Sequence, residues 1–305
     1  MQQLSKEMFE PASVDLSEAE KISKPSLSFW KDVSIRFRKN KLAMTGIVLL
    51  IILVFFAIFG PLMTPYDYRS NDLVNANQAP SAEHWFGTDE LGRDMFTRIW
   101  EGARISLFIG LSAALIDLII GVLWGGISGF RGGKVDEFMM RFADILWAVP
   151  YLLLVILLMV VMEPGLTTMI LAMTITGWIN MARIVRGQVL QLKNQEYVLA
   201  AQTLGSSVSR IMAKHLIPNT MGPILITMTL TIPSAIFTEA FLSYLGLGVP
   251  APLASWGTMA SDGLPALKYY PWRLFFPATF ISLTIFAFNV IGDGLRDALD
   301  PRLRK

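Results

Sequence analysis

The sequence predicts an all-α, polytopic membrane protein with six transmembrane helices. Three observations predict it. Hydrophobic residues make up 53% of the 305 positions and charged residues only 16%, where a soluble domain carries about 25% charged residues. Charge-free runs long enough for a span of about 20 residues recur along the chain. A six-span count also places 20 of the 26 Lys and Arg residues in segments on one side, which the positive-inside bias assigns to the cytoplasm.

The elements follow in order. Residues 1–26 are polar and patternless, as in a loose tail. From Ser28 to Lys41, Trp30, Val33 and Phe37 recur at helical spacing among Lys31, Arg36, Arg38 and Lys39. Two readings fit this stretch: an amphipathic elbow helix on an anionic membrane lipid leaflet, or an ordinary basic flank. Both put residues 1–41 in the cytoplasm. A first span is expected over 42–66, 25 residues without a charge. An extracellular segment is expected over 67–104, with seven acidic and four basic residues.

A five-helix core is expected over 105–293. Its second span runs from Ile105 to Phe130, interrupted only by Asp117, and closes at the basic turn Arg131-Gly132-Gly133-Lys134. The third is the 18-residue charge-free run Ile145 to Met162. Glu163-Pro164-Gly165 turns the chain into a fourth, ending near Ala182. The fifth falls within Met221 to Leu245 and the sixth within Leu274 to Gly292, leaving 294–305 as a cytoplasmic C-terminus. Gly121 and Gly125 form a small-xxx-small pair suited to close helix contact, although glycine is common in membrane helices in any case.

Several chemistries are excluded by composition and spacing. The net charge is +2 and there are no cysteines, so nucleic-acid binding, disulfides and thiol catalysis are not expected. His84 and His215 stand far apart, in no metal-ligand spacing. Gly129 to Val135 has glycines and a lysine but lacks the spacing and the Ser/Thr of a phosphate loop. No catalytic, cofactor-binding or metal residue is therefore assigned to this chain.

Four polar residues fall within the spans. A carboxylate in the bilayer costs several kcal/mol unless it is paired, protonated or wet. Asp117 is expected to make an interhelix hydrogen bond or ion pair. Glu239 is expected near the outer end of the fifth span, facing water. Asn180 and Asn289 are expected to act as helix–helix glue.

The remaining polar feature is an island over 191–219 between the fourth and fifth spans. Glu196 to Thr203 is a helix-forming stretch with adjacent small residues Ala200 and Ala201. Gly205 can take a positive φ and end it. Ser206 or Ser207 can cap a second short helix, and Pro218 starts the next element. An ordinary cytoplasmic loop and a docking surface for another protein both fit this pattern.

The island resembles the cytoplasmic signature of inner-membrane permeases of ABC importers, E-A-A, three residues, G, nine residues, I, one residue, L-P. Ala200-Ala201, Gly205 and Pro218 stand at matching places, while Leu199, His215 and Ile217 depart from it. The segments His84 to Asp94, Gly102 to Leu107, Phe241 to Gly248, Trp256-Gly257 and Gly292 to Arg302 resemble the oligopeptide/dipeptide branch. Ile145 to Pro150 and Gly177 to Asn180 are most similar to the C-type permease subunit of oligopeptide transporters of bacilli.

This resemblance implies the type I ABC importer permease fold and a multi-pass place in the bacterial cell membrane. It implies a sister permease subunit, two ABC ATPase subunits that bind the ATP, an extracellular peptide-binding lipoprotein and a peptide substrate. Glu196, Ala200, Ala201, Gly205 and Pro218 would then form the ATPase-coupling site, with Glu196 supplying the acidic contact that Leu199 lacks. Dipeptide or nickel cargo is the alternative within the branch. A self-contained ion-coupled carrier would require repeats and paired intramembrane charges that the sequence does not display, and a membrane-bound enzyme lacks a reactive constellation.

Overall fold

The computed structural model describes residues 28–300. The expected N-terminal tail and the basic residues Arg302, Arg304 and Lys305 lie outside the described residues. Every regular element within them is helical. Five helical segments are long and apolar enough to cross a membrane, and six if one sharply bent pair counts as a single span.

Helix α1 (Phe29–Lys39) precedes α2 (Lys41–Phe59). Asn40 separates them, its side chain accepting from the Ala43 N–H at 3.1 Å. Val33 of α1 is buried, whereas Trp30, expected on the same face, is half exposed. The first span is shorter than its charge-free run, because Gly60-Pro61-Leu62 tightens into a 3₁₀ turn.

Helix α3 (Met95–Arg131) begins ten residues before the apolar run that announced it. Asp94 caps it, accepting from the Thr97 N–H and Thr97 Oγ1, each at 2.8 Å. At about 1.5 Å per residue its 37 residues reach about 55 Å, well beyond a hydrocarbon layer of about 30 Å. Its first turns therefore belong to the polar segment. There Arg104 donates to the carbonyls of Ala57 and Ile58 at the end of α2.

The third run is not one straight span. Helix α4 (Gly133–Ala148) and α5 (Tyr151–Met162) meet at 83°. Pro150 forces the break: it lacks an N–H and pushes Val149 into extended backbone, φ −73° and ψ 129°. Helix α6 (Leu166–Leu192) also outruns its expected end near Ala182 and carries Arg183 and Arg186.

The polar island holds α7 (Glu196–Thr203), a turn at Gly205 and α8 (Val208–Ile211). Ser207 caps α8, as expected of one of the two serines. The expectation of a separate second helix is corrected. Helix α8 runs without interruption through a π turn, Met212–Leu216, into α9 (Ile217–Tyr244), so Pro218 lies in the first turn of a continuing helix. A short helix, α10 (Trp256–Gly263), and the last span, α11 (Trp272–Leu299), complete the fold.

Helix α3 packs along α6 through its glycines. A Cβ at Gly125 would overlap the Ala182 carbonyl, one at Gly121 would stand 2.5 Å from Met181 Cβ, and one at Gly129 2.9 Å from the Arg186 carbonyl oxygen. Between apolar helices in lipid, such backbone approach supplies the packing that hydrophobicity does not. At the α10 end, Trp100 stacks on Phe56 at 5.0 Å and meets Phe280 edge-on at 4.7 Å. At the opposite end, Met181, Val185, Val189, Val198, Ile211, Leu216 and Ile224 form a separate apolar cluster.

Candidate functional site

Two regions stand out, a cavity in the bundle and the exposed helix α7. The cavity has a volume of about 660 Å³ and is walled by α3, the α4–α5 bend, α6 and α9. Asp117 of α3 and Asn180 of α6 both line it. Asp117 is buried, at 6% exposure, and its Oδ1 has no hydrogen-bond partner among the described residues. The expected interhelix bond or ion pair is therefore not made among the described residues. Gly177 faces the carboxylate, and a Cβ there would come within 2.7 Å of Oδ1.

Asn180 is exposed to the cavity and Asn289 is exposed on α11, away from it. Neither serves as glue between the described helices. Their faces point outward, where periodicity could not distinguish a cavity or a neighbouring subunit from a helix contact.

The cavity also has polar residues that the sequence reading missed. Thr227, Thr231, Ser234 and Thr238 recur along one side of α9. Each hydroxyl donates to a carbonyl four residues back, at 2.8, 2.9, 3.0 and 2.8 Å respectively. Their steps of four, three and four residues were a readable signal of one helical face. Tyr151, whose buried hydroxyl has no partner among the described residues, lines the same space.

Glu239 contradicts its expectation of facing water. It is 0% exposed and accepts from Ser255 Oγ at 2.5 Å, Ser243 Oγ at 3.0 Å and Ser106 Oγ at 3.2 Å. Ser106 and Ser255 in turn accept from the N–H groups of Trp256 and Thr258 at 3.0 and 3.1 Å. One carboxylate thus anchors the N-terminus of α10 through two serines, an end whose unpaired N–H groups favour negative charge. Burial is tolerable because three donors replace water.

Helix α7 rests on the bundle by one face. Val198 is fully buried in the apolar cluster at the ends of α6 and α9, and Ala201 packs against it. Glu196, Leu199 and Ala200 are exposed. Gly205 takes φ +77° with no neighbouring atom within 4 Å of the place of a Cβ. The structure thus keeps Glu196, Ala200 and Ala201 on one short helix, with Gly205 in the turn that follows it and Pro218 a helical segment away.

Ion pairs tie this end together. Arg186 grips Asp136 in a bidentate pair at 2.5 and 2.6 Å, which Ser128 completes. Lys193 donates to the Gly129 carbonyl at 2.8 Å.

Comparison with known proteins places this arrangement. The family of binding-protein-dependent transport system inner membrane components matches residues 121–305. The N-terminal transmembrane domain of oligopeptide transport permease C matches residues 28–80. The oligopeptide transport system permease protein OppC of Bacillus subtilis is 71% identical over 305 residues, covering 100% of both chains. The dipeptide permease DppC of the same organism is 60% identical, covering 94% of this chain and 90% of that one. OppC of Escherichia coli is 43% identical over 94% of this chain and 95% of its own. Among solved structures, a chain of the MetNI methionine ABC transporter superposes with a TM-score of 0.57 at 17% identity, over 68% of this chain and 98% of that one. The likeness in sequence runs the length of the chain and the likeness in structure covers its helical core: the chain belongs to the binding-protein-dependent inner membrane components, on the oligopeptide/dipeptide permease branch of the ABC importers.

Proposed function

We propose that this permease forms half of the pathway of an ATP-driven oligopeptide importer in the bacterial cell membrane. A sister permease supplies the other half, two ATPase subunits bind and hydrolyse ATP, and an extracellular lipoprotein delivers the peptide. The chain itself is not a catalyst and binds no cofactor. Its termini and α7 face the cytoplasm, where most of its basic residues gather, and α1 lies along the lipid surface.

The observation that carries the reading is where α7 sits. Through Val198 it rests on the cluster formed by the end of α6 and the start of α9, the same two helices that wall the cavity. A packed interface moves as a body rather than deforming. An ATPase that displaces α7 therefore moves the cavity walls, biasing a two-state element from a distance. The exposed face with Glu196, Ala200 and Ala201 at its edge is the grip, and Gly205 with Pro218 sets the geometry that joins it to α9.

The test is transport by the assembled complex. Vesicles containing this chain, its sister permease and both ATPases, supplied with the lipoprotein, should accumulate a labelled tetrapeptide only with ATP. Accumulation without the ATPases would overturn the reading in favour of a self-contained carrier. Accumulation of dipeptide or nickel but not tetrapeptide would reassign the cargo within the branch.

A further inference from the structure

The cavity contains a carboxylate that the bundle leaves unanswered. Asp117 is 6% exposed and its Oδ1 has no partner among the described residues. Among the described residues no Lys, Arg or His lines the cavity. Such a group within a span is costly unless it is paired, protonated or wet. Gly177 leaves the space that the carboxylate occupies, since a side chain there would strike it.

The α9 wall of the cavity narrows the kind of partner. Each hydroxyl of Thr227, Thr231, Ser234 and Thr238 has spent its one hydrogen on a carbonyl of its own helix. These side chains present lone pairs only. A carboxylate sharing its cavity with this row of acceptors, where the Tyr151 hydroxyl and the Asn180 amide are only neutral donors, calls for a cation rich in N–H donors. A divalent metal fits poorly, because no group of three His, Cys, Asp or Glu able to hold one stands among the described residues. A volume of about 660 Å³ suits a ligand of several residues, since small-molecule sites run from roughly 300 to 1,000 Å³.

On the reading of this chain as a peptide permease, we infer that the cavity takes the substrate by its amino-terminal ammonium, held on the Asp117 carboxylate. The ammonium has three N–H donors and is the one cation every unblocked peptide carries, whatever its side chains. A single fixed carboxylate on a wall of acceptors can hold it without reading sequence. Asp117 is then a substrate-binding residue inside the membrane, separate from whatever selects peptides outside it.

The experiment uses the complete importer in vesicles. Dicyclohexylcarbodiimide activates a carboxylate, and a primary amine lying against it displaces the urea to form an amide. With a labelled tetrapeptide bearing a free amino terminus, the expected product is an adduct between Asp117 and the peptide nitrogen, located by mass spectrometry. An adduct from Asp117 to a lysine of the sister subunit, or peptide adducts only at other carboxylates, would overturn the inference. In parallel, Asp117→Asn should lower tetrapeptide uptake roughly ten- to a hundredfold, the range for a lost charge-assisted hydrogen bond. Asp117→Glu should recover part of the uptake, with both variants assembled into the complex at the wild-type level. Uptake by Asp117→Asn equal to wild type would refute the role. The wild-type complex separates the two claims: if it imports no peptide the cargo assignment falls and this inference with it, and if it imports peptide only the inference is at stake.

Discussion

Ser255 Oγ donates to Glu239 Oε1 at 2.5 Å while accepting the Thr258 N–H at 3.1 Å. Ser106 repeats the arrangement from the other side, between Glu239 and the Trp256 N–H. Trp256 is fully buried and donates through its indole to the Ile99 carbonyl at 2.9 Å. Helices α3, α9 and α10 therefore meet at one acceptor, with the Trp256 indole as a second tie of α10 to α3.

Glu239→Ala removes that acceptor and strands three buried hydroxyls, at a cost of about 2–4 kcal/mol. The expected result is a lower thermal midpoint in detergent and faster trypsin cleavage at Lys268, in the segment after α10. Glu239→Gln keeps one acceptor oxygen and should lose less. An Ala variant with the wild-type cleavage pattern would show that α10 is held elsewhere.

The contact of α3 with α6 yields a paired prediction. At Gly125 a methyl group meets backbone, the Ala182 carbonyl, which cannot swing aside. Gly125→Ala should cost about 1–3 kcal/mol through overpacking. Gly187, on α6, has nothing within 4 Å of its Cβ position, so Gly187→Ala should be neutral or stabilise by up to about 1 kcal/mol. Thermal midpoints of the two purified variants should move in opposite directions or differ by several degrees. Equal midpoints would contradict the packing.

Arg186 and Asp136 join α6 to α4. Arg186→Ala leaves the Asp136 side chain at 12% exposure without its partner, while Arg186 itself is 34% exposed. The cost should be about 1–3 kcal/mol, below the 3–5 of a fully buried pair because water reaches the arginine. The double variant Asp136→Ala/Arg186→Ala should recover part of that loss. A double-mutant cycle on unfolding in detergent checks it, and strictly additive losses would mean that the two residues do not couple.

The apolar runs made the membrane class, the span count and most span positions legible in the sequence. They could not reveal that α3 begins at Met95, because hydropathy is blind to a helix that continues into polar sequence. The Asp94 and Thr97 cap was the available sign. The bend at Pro150 was also written in the chain, yet a charge-free run of 18 residues reads as one span until the proline is given its steric weight. Glu239 was misplaced for a different reason. Its three serine partners lie 133, 4 and 16 residues away, and only tertiary structure brings the two distant ones to it. Asp117 was legible as an unusual residue, but that its Oδ1 finds no partner among the described residues was not.

The last prediction concerns α7, which leaves Glu196, Leu199 and Ala200 exposed. The protein has no cysteine, so a cysteine at Ala200 is the sole thiol of the variant and should crosslink to an ATPase subunit in the assembled importer. Gly205 tests the turn separately. Its φ of +77° with open space around it means that a substitution strains the backbone without striking a neighbour. Gly205→Val should cost about 1–2 kcal/mol locally, leave the protein in the membrane at its normal level, and abolish tetrapeptide uptake by misdirecting α7. Gly205→Asn, which tolerates a left-handed backbone, should keep most of the uptake. Normal uptake by Gly205→Val, with no crosslink from Leu199, Ala200 or Thr203, would rule out α7 as the docking element.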